Sequence, residues 1–140
     1  LVIFRPDVKT STKESRGKLP KEFSKEQTSE NIGNVAMLVA MLAGNTFNDD
    51  VLRMVTKDNI HQPTRLEACR PSKLAFDRFK SLDACGVWLS GSGPSVAAFV
   101  EDERLEETIN EIENIEYGCS IQVSKINIAG EGVRKVTPSK

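Results

Sequence analysis

The stretch "VWLSGSGPSVAAFV", residues 87–100, decides the fold. Two apolar arms rich in strand-forming residues flank Ser90-Gly91-Ser92-Gly93-Pro94-Ser95, which predicts adjacent strands over Gly86–Leu89 and Ser95–Val100. Two of the nine glycines in the chain fall in this loop. Two readings are open: a tight turn, or a bare backbone whose N–H groups come close to an anion. A dinucleotide fingerprint fails, because position 96 is Val and a strand, not a helix, follows. A Walker A loop fails too: Gly17-Lys18 is followed by Leu19, and Thr12 stands where the first glycine would be needed.

The flanking sequence supplies the other elements. Leu1 to Arg5 reads as a strand ended by Pro6-Asp7. Ser11-Thr12-Lys13-Glu14 has capping-box form and predicts a short helix that stops by Pro20. Ser24-Lys25-Glu26-Gln27 repeats the form ahead of a long helix, whose apolar stretch Ile32 to Ala43 ends at Gly44-Asn45. Asn48-Asp49-Asp50 caps a further helix, and Pro71 opens another carrying Leu74, Phe76 and Phe79. Leu105, Ile109, Ile112 and Ile115 recur at helical spacing, and Ile121 and Val123 alternate with polar residues in a last strand. The order is β-α-β-β-α-β with extra helices inserted before the second strand. That is an α+β, ferredoxin-like arrangement: an antiparallel sheet backed by helices on one face. The expected domain covers residues 1–129, with a loosely held tail over 130–140.

Bulk properties exclude several functions. At 140 residues the chain suits one domain, and its net charge of −1 supplies no field to draw it toward nucleic acid or an anionic membrane. RNA binding is disfavoured further because the strands show no paired exposed aromatics. The apolar run from Val35 to Ala43 is too short to span a bilayer. Cys69, Cys85 and Cys119 are odd in number and show no C-x-x-C spacing, which points to reduced thiols in a cytoplasmic protein and to no metal site. The chain opens on Leu1-Val2-Ile3-Phe4 without Met, so it is expected to be a piece of a longer protein.

Two more stretches carry chemistry. Ser11 to Arg16, "STKESR", ends on an arginine that can be a solvated charge or an anion ligand. Asp58 to Arg65, "DNIHQPTR", holds the single histidine. Pro63 biases Gln62 toward an extended conformation, which interrupts a helix but fixes the approach to Arg65. His61 can be a structural residue or part of a site.

"STKESR", "IHQPTR" and "LSGSGPS", in this order, together with "ENIGNVAMLVAML", resemble the C-terminal half of the homoserine kinase family, within the GHMP kinase superfamily. The resemblance covers nearly the whole chain to about residue 130. It departs at Thr64, where the family carries an aromatic, and at "LEACRPS" (66–72), which replaces an Ile-Pro-Gly segment. It implies the GHMP kinase C-terminal fold and an ATP-dependent transfer of phosphate to the hydroxyl of L-homoserine, a step toward threonine. The implied substrate ligands are Arg16 and Arg65 as a carboxylate clamp, with Gly91. Thr12 would position the hydroxyl or relay its proton as the catalytic residue. Gly91, Ser92 and Gly93 would shape the loop near the nucleotide phosphates, and His61 would support Arg65. ATP and Mg2+ would be held mainly by an N-terminal ATP-binding domain that this sequence lacks, so these residues alone are expected to be inactive. A homodimer is possible on this reading. The rival readings are another small-molecule kinase of the superfamily, or a non-catalytic ligand-binding or dimerisation module of the same fold.

Overall fold

A computed structural model describes residues 1–128, apart from the side chains of Thr12 and Glu14. The tail expected over 130–140 and the end of the 1–129 domain lie outside the described residues.

Four strands form one antiparallel sheet: β1 (Val2–Pro6), β2 (Gly86–Leu89), β3 (Val96–Phe99) and β4 (Ile121–Lys125), in the order β2-β3-β1-β4. Among the described residues, six α-helices accompany them: α1 (Thr12–Gly17), α2 (Lys25–Gly44), α3 (Asp49–Val55), α4 (Gln62–Glu67), α5 (Arg70–Ser81) and α6 (Leu105–Glu113). With α5 and α6 as the two crossover helices, this is the predicted ferredoxin-like order, and α1 to α4 are the inserted helices.

Alternation places the core. Val2 and Phe4 of β1, Val87 and Leu89 of β2, and Val96 and Ala98 of β3 point to one face, where they meet Phe79 of α5 and Ile112 of α6. Phe4 and Phe79 are fully buried, each contributing roughly 1.5–3 kcal/mol relative to exposure. The other face is not bare. Met41 of α2 and Leu52 and Val55 of α3 form a second cluster with Cys85, and Phe99 packs against it. Trp88 and Phe99 stack 4.9 Å apart there, so the strands do carry an aromatic pair. It is half-buried beside the α2–α3 cluster, not presented as an open stacking platform.

The caps explain where the helices start. Ser24 accepts from the Gln27 N–H at 3.1 Å while Gln27 Oε1 accepts from the Ser24 N–H at 3.0 Å, a complete capping box. Asn48 accepts from the Val51 N–H at 3.0 Å and starts α3. At the far end of α2, Asn45 takes the left-handed conformation with φ 49. Within α2 only Asn34 and Met41 are buried, and Ile32, Val35, Val39 and Leu42 stay exposed along one stripe.

One local expectation is overturned. Gln62 is not extended ahead of Pro63; it begins α4. Pro63 lies in the first turn, where its missing N–H has no helical partner to lose.

Candidate functional site

The site is assembled from α2 inward. Asn31 donates from Nδ2 to Asp58 Oδ1 at 2.7 Å, and Asn34 donates to the Lys57 carbonyl at 3.0 Å. Asp58 Oδ1 also accepts from the Ile60 and His61 N–H groups at 2.8 and 2.9 Å, and Oδ2 lies 3.0 Å from His61 Nδ1. Burial alone would raise the Asp58 carboxyl, but the bonds from His61, Asn31 and Ile60 together hold it below the ordinary 3.8. This corner fixes the N-terminus of α4, and the His61 carbonyl accepts from the Arg65 N–H at 3.2 Å.

From α4, two side chains reach the end of β2 and the glycine loop. Gln62 is buried, accepts from the Leu89 N–H at 2.8 Å and donates to the Thr56 carbonyl at 3.3 Å. Arg65 donates from Nη1 to the Gly91 carbonyl at 3.1 Å. The two bonds satisfy the edge of β2 much as a neighbouring strand would, with an acceptor at residue 89 and a donor at residue 91. The Arg65 Nε is buried and has no hydrogen-bond partner among the described residues.

The loop itself is closed by Ser90 N–H to the Ser95 carbonyl at 2.9 Å and Gly93 N–H to the Ser90 carbonyl at 3.1 Å. Ser72, fully buried, donates to the Pro94 carbonyl and ties the loop to α5. Gly91 and Gly93 have φ of 60 and 76, the left-handed region that glycine enters without steric penalty. The Gly93 N–H is therefore spent inside the turn. The Gly91 and Ser92 N–H groups make no hydrogen bond to another described residue.

A cavity of about 240 Å³ opens where the three motifs meet. Its walls come from α1 and the segment before it, from the α4–α5 region and from the loop. Lys9, Lys18, Arg65 and Arg70 line it together with Ser92 and Gly93, and no carboxylate is among its described lining residues. Such a wall suits a carboxylate or phosphate. Of the residues expected from the sequence, the cavity brings together Arg65, Ser92 and Gly93, with Thr64 at its edge. Gly91 is held by Arg65, and His61 stands one turn before Arg65, paired with Asp58. Thr12 begins α1, but its side chain lies outside the described residues. Arg16 is exposed in the last turn of α1, is not among the described lining residues and makes no ion pair with another described residue.

Sequence reading missed Lys9, Lys18, Arg70, Ser72 and Gln62. Lys18 stands in the turn after Gly17, so no helical periodicity announced it. Nothing local announced Gln62, whose partners lie on other elements.

The family model of the GHMP kinases C terminal matches residues 30–117. The chain belongs to the GHMP kinase family. Curated relatives named homoserine kinase are similar to it: 37% identical over 100 residues in Clostridium acetobutylicum, covering 71% of this chain and 33% of that protein. The Clostridium novyi protein is 29% identical over 136 residues, covering 95% of this chain and 45% of its own length. The crystal structure of homoserine kinase from Cytophaga hutchinsonii superposes with a TM-score of 0.71 at 28% identity, covering 90% of this chain and 41% of that one. The chain thus spans a third to just under half of the length of these relatives. Its fold is that of a homoserine kinase-like C-terminal domain, and these relatives do not favour the reading as a non-catalytic module.

A third grouping also emerges from packing. Asp49, Cys85 and Glu101 bring their ligand-type atoms within 4.8 Å of one another. Burial, then the Asp49 charge and its hydrogen bond, push the Cys85 thiol up to about 11, so near neutral pH it stays protonated.

Proposed function

We propose that these residues form the substrate-side part of an ATP-dependent kinase that phosphorylates the hydroxyl of L-homoserine. The observation that carries this reading is the Arg65 guanidinium. It is anchored through Nη1 on the Gly91 carbonyl, keeps a buried Nε without a described partner, and faces a cationic cavity whose described lining residues include no carboxylate. A charge held rigidly with a spare donor is suited to grip the substrate carboxylate, since less freedom is lost on binding.

Phosphoryl transfer rests on placing the acceptor hydroxyl in line with the γ-phosphate and on neutralising charge. Arg65 fixes one end of homoserine, and Arg16 completes the clamp if α1 turns its last residues toward the cavity. Thr12 would hold or relay the hydroxyl proton. The free N–H groups of Gly91 and Ser92, with Lys18 and Arg70, suit the oxygens of the transferred phosphate. Mg2+ prefers carboxylate, phosphate and water oxygens, and the described lining residues of this cavity include no carboxylate to hold it. ATP and Mg2+ would then be held largely by the part of the relatives' length that this chain does not span. The free Cys69, Cys85 and Cys119 fit a cytoplasmic enzyme.

The test is an ADP-release assay on the complete polypeptide with L-homoserine, against shikimate and mevalonate as competing substrates. Turnover with homoserine alone supports the reading. Turnover with shikimate or mevalonate instead, or none with any of the three, overturns it.

A further inference from the structure

Arg65 and Thr64 face the cationic cavity, whereas Gln62, Pro63 and Leu66 occupy the opposite face of α4, since residues advance about 100° each around a helix. On that opposite face lies a second groove, of about 540 Å³, bounded by α3, α4, α5 and the start of β2. Its floor is apolar: Leu66, Phe76 and Val87. Its rim carries Arg53, Lys57 and Lys80.

The charges of this rim are balanced only in part from within, since three described cations, Arg53, Lys57 and Lys80, stand against two carboxylates. Asp58 and Asp83 also line the groove, but both are engaged. Asp58 serves Asn31, Ile60 and His61, and Asp83 pairs with Arg53 at 3.1 Å and Arg104 at 3.9 Å. Neither Lys57 nor Lys80 has an ion-pair partner among the described residues, and the Lys80 ammonium stands 5.8 Å over the Phe76 ring. The Arg53 Nε is buried without a described partner. The unspent valence of the groove is thus positive, above an apolar floor.

We infer that this groove is a second small-molecule site, for an organic anion with an apolar body such as an arylalkyl or branched-chain carboxylate. Its apolar part lies on Leu66 and Phe76, and its carboxylate meets Lys57 and Lys80. The site is coupled to Arg65. Thr56, Asp58 and Gln62 line both this groove and a cavity of about 270 Å³ that contains Arg65, His61 and Trp88. Gln62 is the strut between α4 and β2, through Leu89 and Thr56, so a ligand pressing on it shifts α4 against the glycine loop. Occupancy would therefore tune the grip of Arg65, a consequence that rests on the proposed role of Arg65. The binding itself does not.

The test is an NMR titration of the isotope-labelled complete polypeptide with 3-phenylpropionate, using 3-phenylpropanol and inorganic phosphate as probes lacking the charge or the apolar body. The expected result is saturable shifts at Lys57, Leu66, Phe76 and Val87, accompanied by a shift of the Arg65 Nε–H signal. Both control probes bind several-fold more weakly. In K57Q/K80Q the Kd rises about threefold or more while amide signals away from the groove stay in place. If that double variant loses its native spectrum, K80Q alone serves, with a smaller rise. The site is refuted by an absence of saturable shifts at millimolar probe, by equal binding of phenylpropanol, or by unchanged affinity in the lysine variants. Shifts centred on Arg70 and Ser92 and displaced by homoserine also refute it, because the probe then occupies the substrate cavity. Shifts in the groove without a change at Arg65 retain the site and refute the coupling.

Discussion

Arg65 and Arg16 are the same residue type, and in sequence both end a motif of the same apparent kind, yet the fold treats them differently. Arg65 sits on α4, whose N-terminus is pinned by Asp58 and His61 and whose flank is joined to β2 by Gln62. Its guanidinium is already on the Gly91 carbonyl before any ligand arrives. Arg16 ends a helix of six residues, and its side chain is exposed. The first arginine is anchored within the fold; the second has no ion-pair partner among the described residues. An immobilised charge gives up less conformational entropy on binding, so the two should contribute unequally.

The largest expected effect is therefore at Arg65. In the complete polypeptide, Arg65→Ala should lower kcat/KM for homoserine by at least about tenfold, the worth of one charge-assisted hydrogen bond. Arg65→Lys should not fully restore it, because a point charge cannot reproduce the planar fork of the guanidinium. KM for ATP should change much less. Wild-type homoserine kinetics in Arg65→Ala would break the contrast outright.

A smaller loss is expected at the loop that Arg65 grips. Gly93→Val places a β-branched residue at φ 76, with Leu89 Cδ2 already 3.5 Å from the new Cβ. Left-handed backbone costs such a residue roughly 1–2 kcal/mol, so the melting temperature should drop modestly while kcat falls further. An unchanged kcat in a folded variant would reduce the loop to a turn.

Acid sharpens the contrast in another way. The Asp58 carboxyl titrates lower in the fold than unfolded, so its stabilising contribution is complete above the unfolded value and is lost as pH falls through the folded one. The α4 corner should loosen below about pH 4, while Asp58→Asn should flatten that part of the profile of melting temperature against pH. Identical acid limbs in the two proteins would remove Asp58 from the account.

The smallest effect belongs to Arg16. Arg16→Ala should leave stability within about 0.5 kcal/mol, as for an exposed side chain. Its loss in kcat/KM for homoserine should be smaller than that of Arg65→Ala, as the sequence-level clamp combined with its exposure requires. A loss equal to that of Arg65→Ala would show that the two arginines act as one preorganised unit. Apart from this series, the 140 residues on their own should show no ATP-dependent turnover of homoserine, since they span under half the length of the related enzymes. Steady turnover above background would overturn that expectation.

Some of this was legible in residue order, because the forces involved act between near neighbours. The apolar strand run at Leu1 to Arg5, the capping residues Ser24 and Asn48, and the helix stop at Gly44-Asn45 are local, and each is legible in the sequence. The β-α-β-β-α-β order followed from them. So did the three motifs, through their resemblance to one kinase family.

Other features could be decided only in three dimensions. The cationic wall of Lys9, Lys18, Arg65 and Arg70 exists because the segments flanking α1 meet α4 and the start of α5 beside the loop. Gln62 was read as a residue made extended by its neighbour, and became a buried strut because Thr56 and Leu89 offered it both a carbonyl and an N–H. Trp88 and Phe99 are eleven residues apart and meet only through strand register. The physical reason is common to all three. Capping and alternation are energies of adjacent residues, whereas a hydrogen bond across elements, or a cluster of like charges, depends on backbone positions set by the burial of Phe4, Phe79 and Ile112 elsewhere in the core.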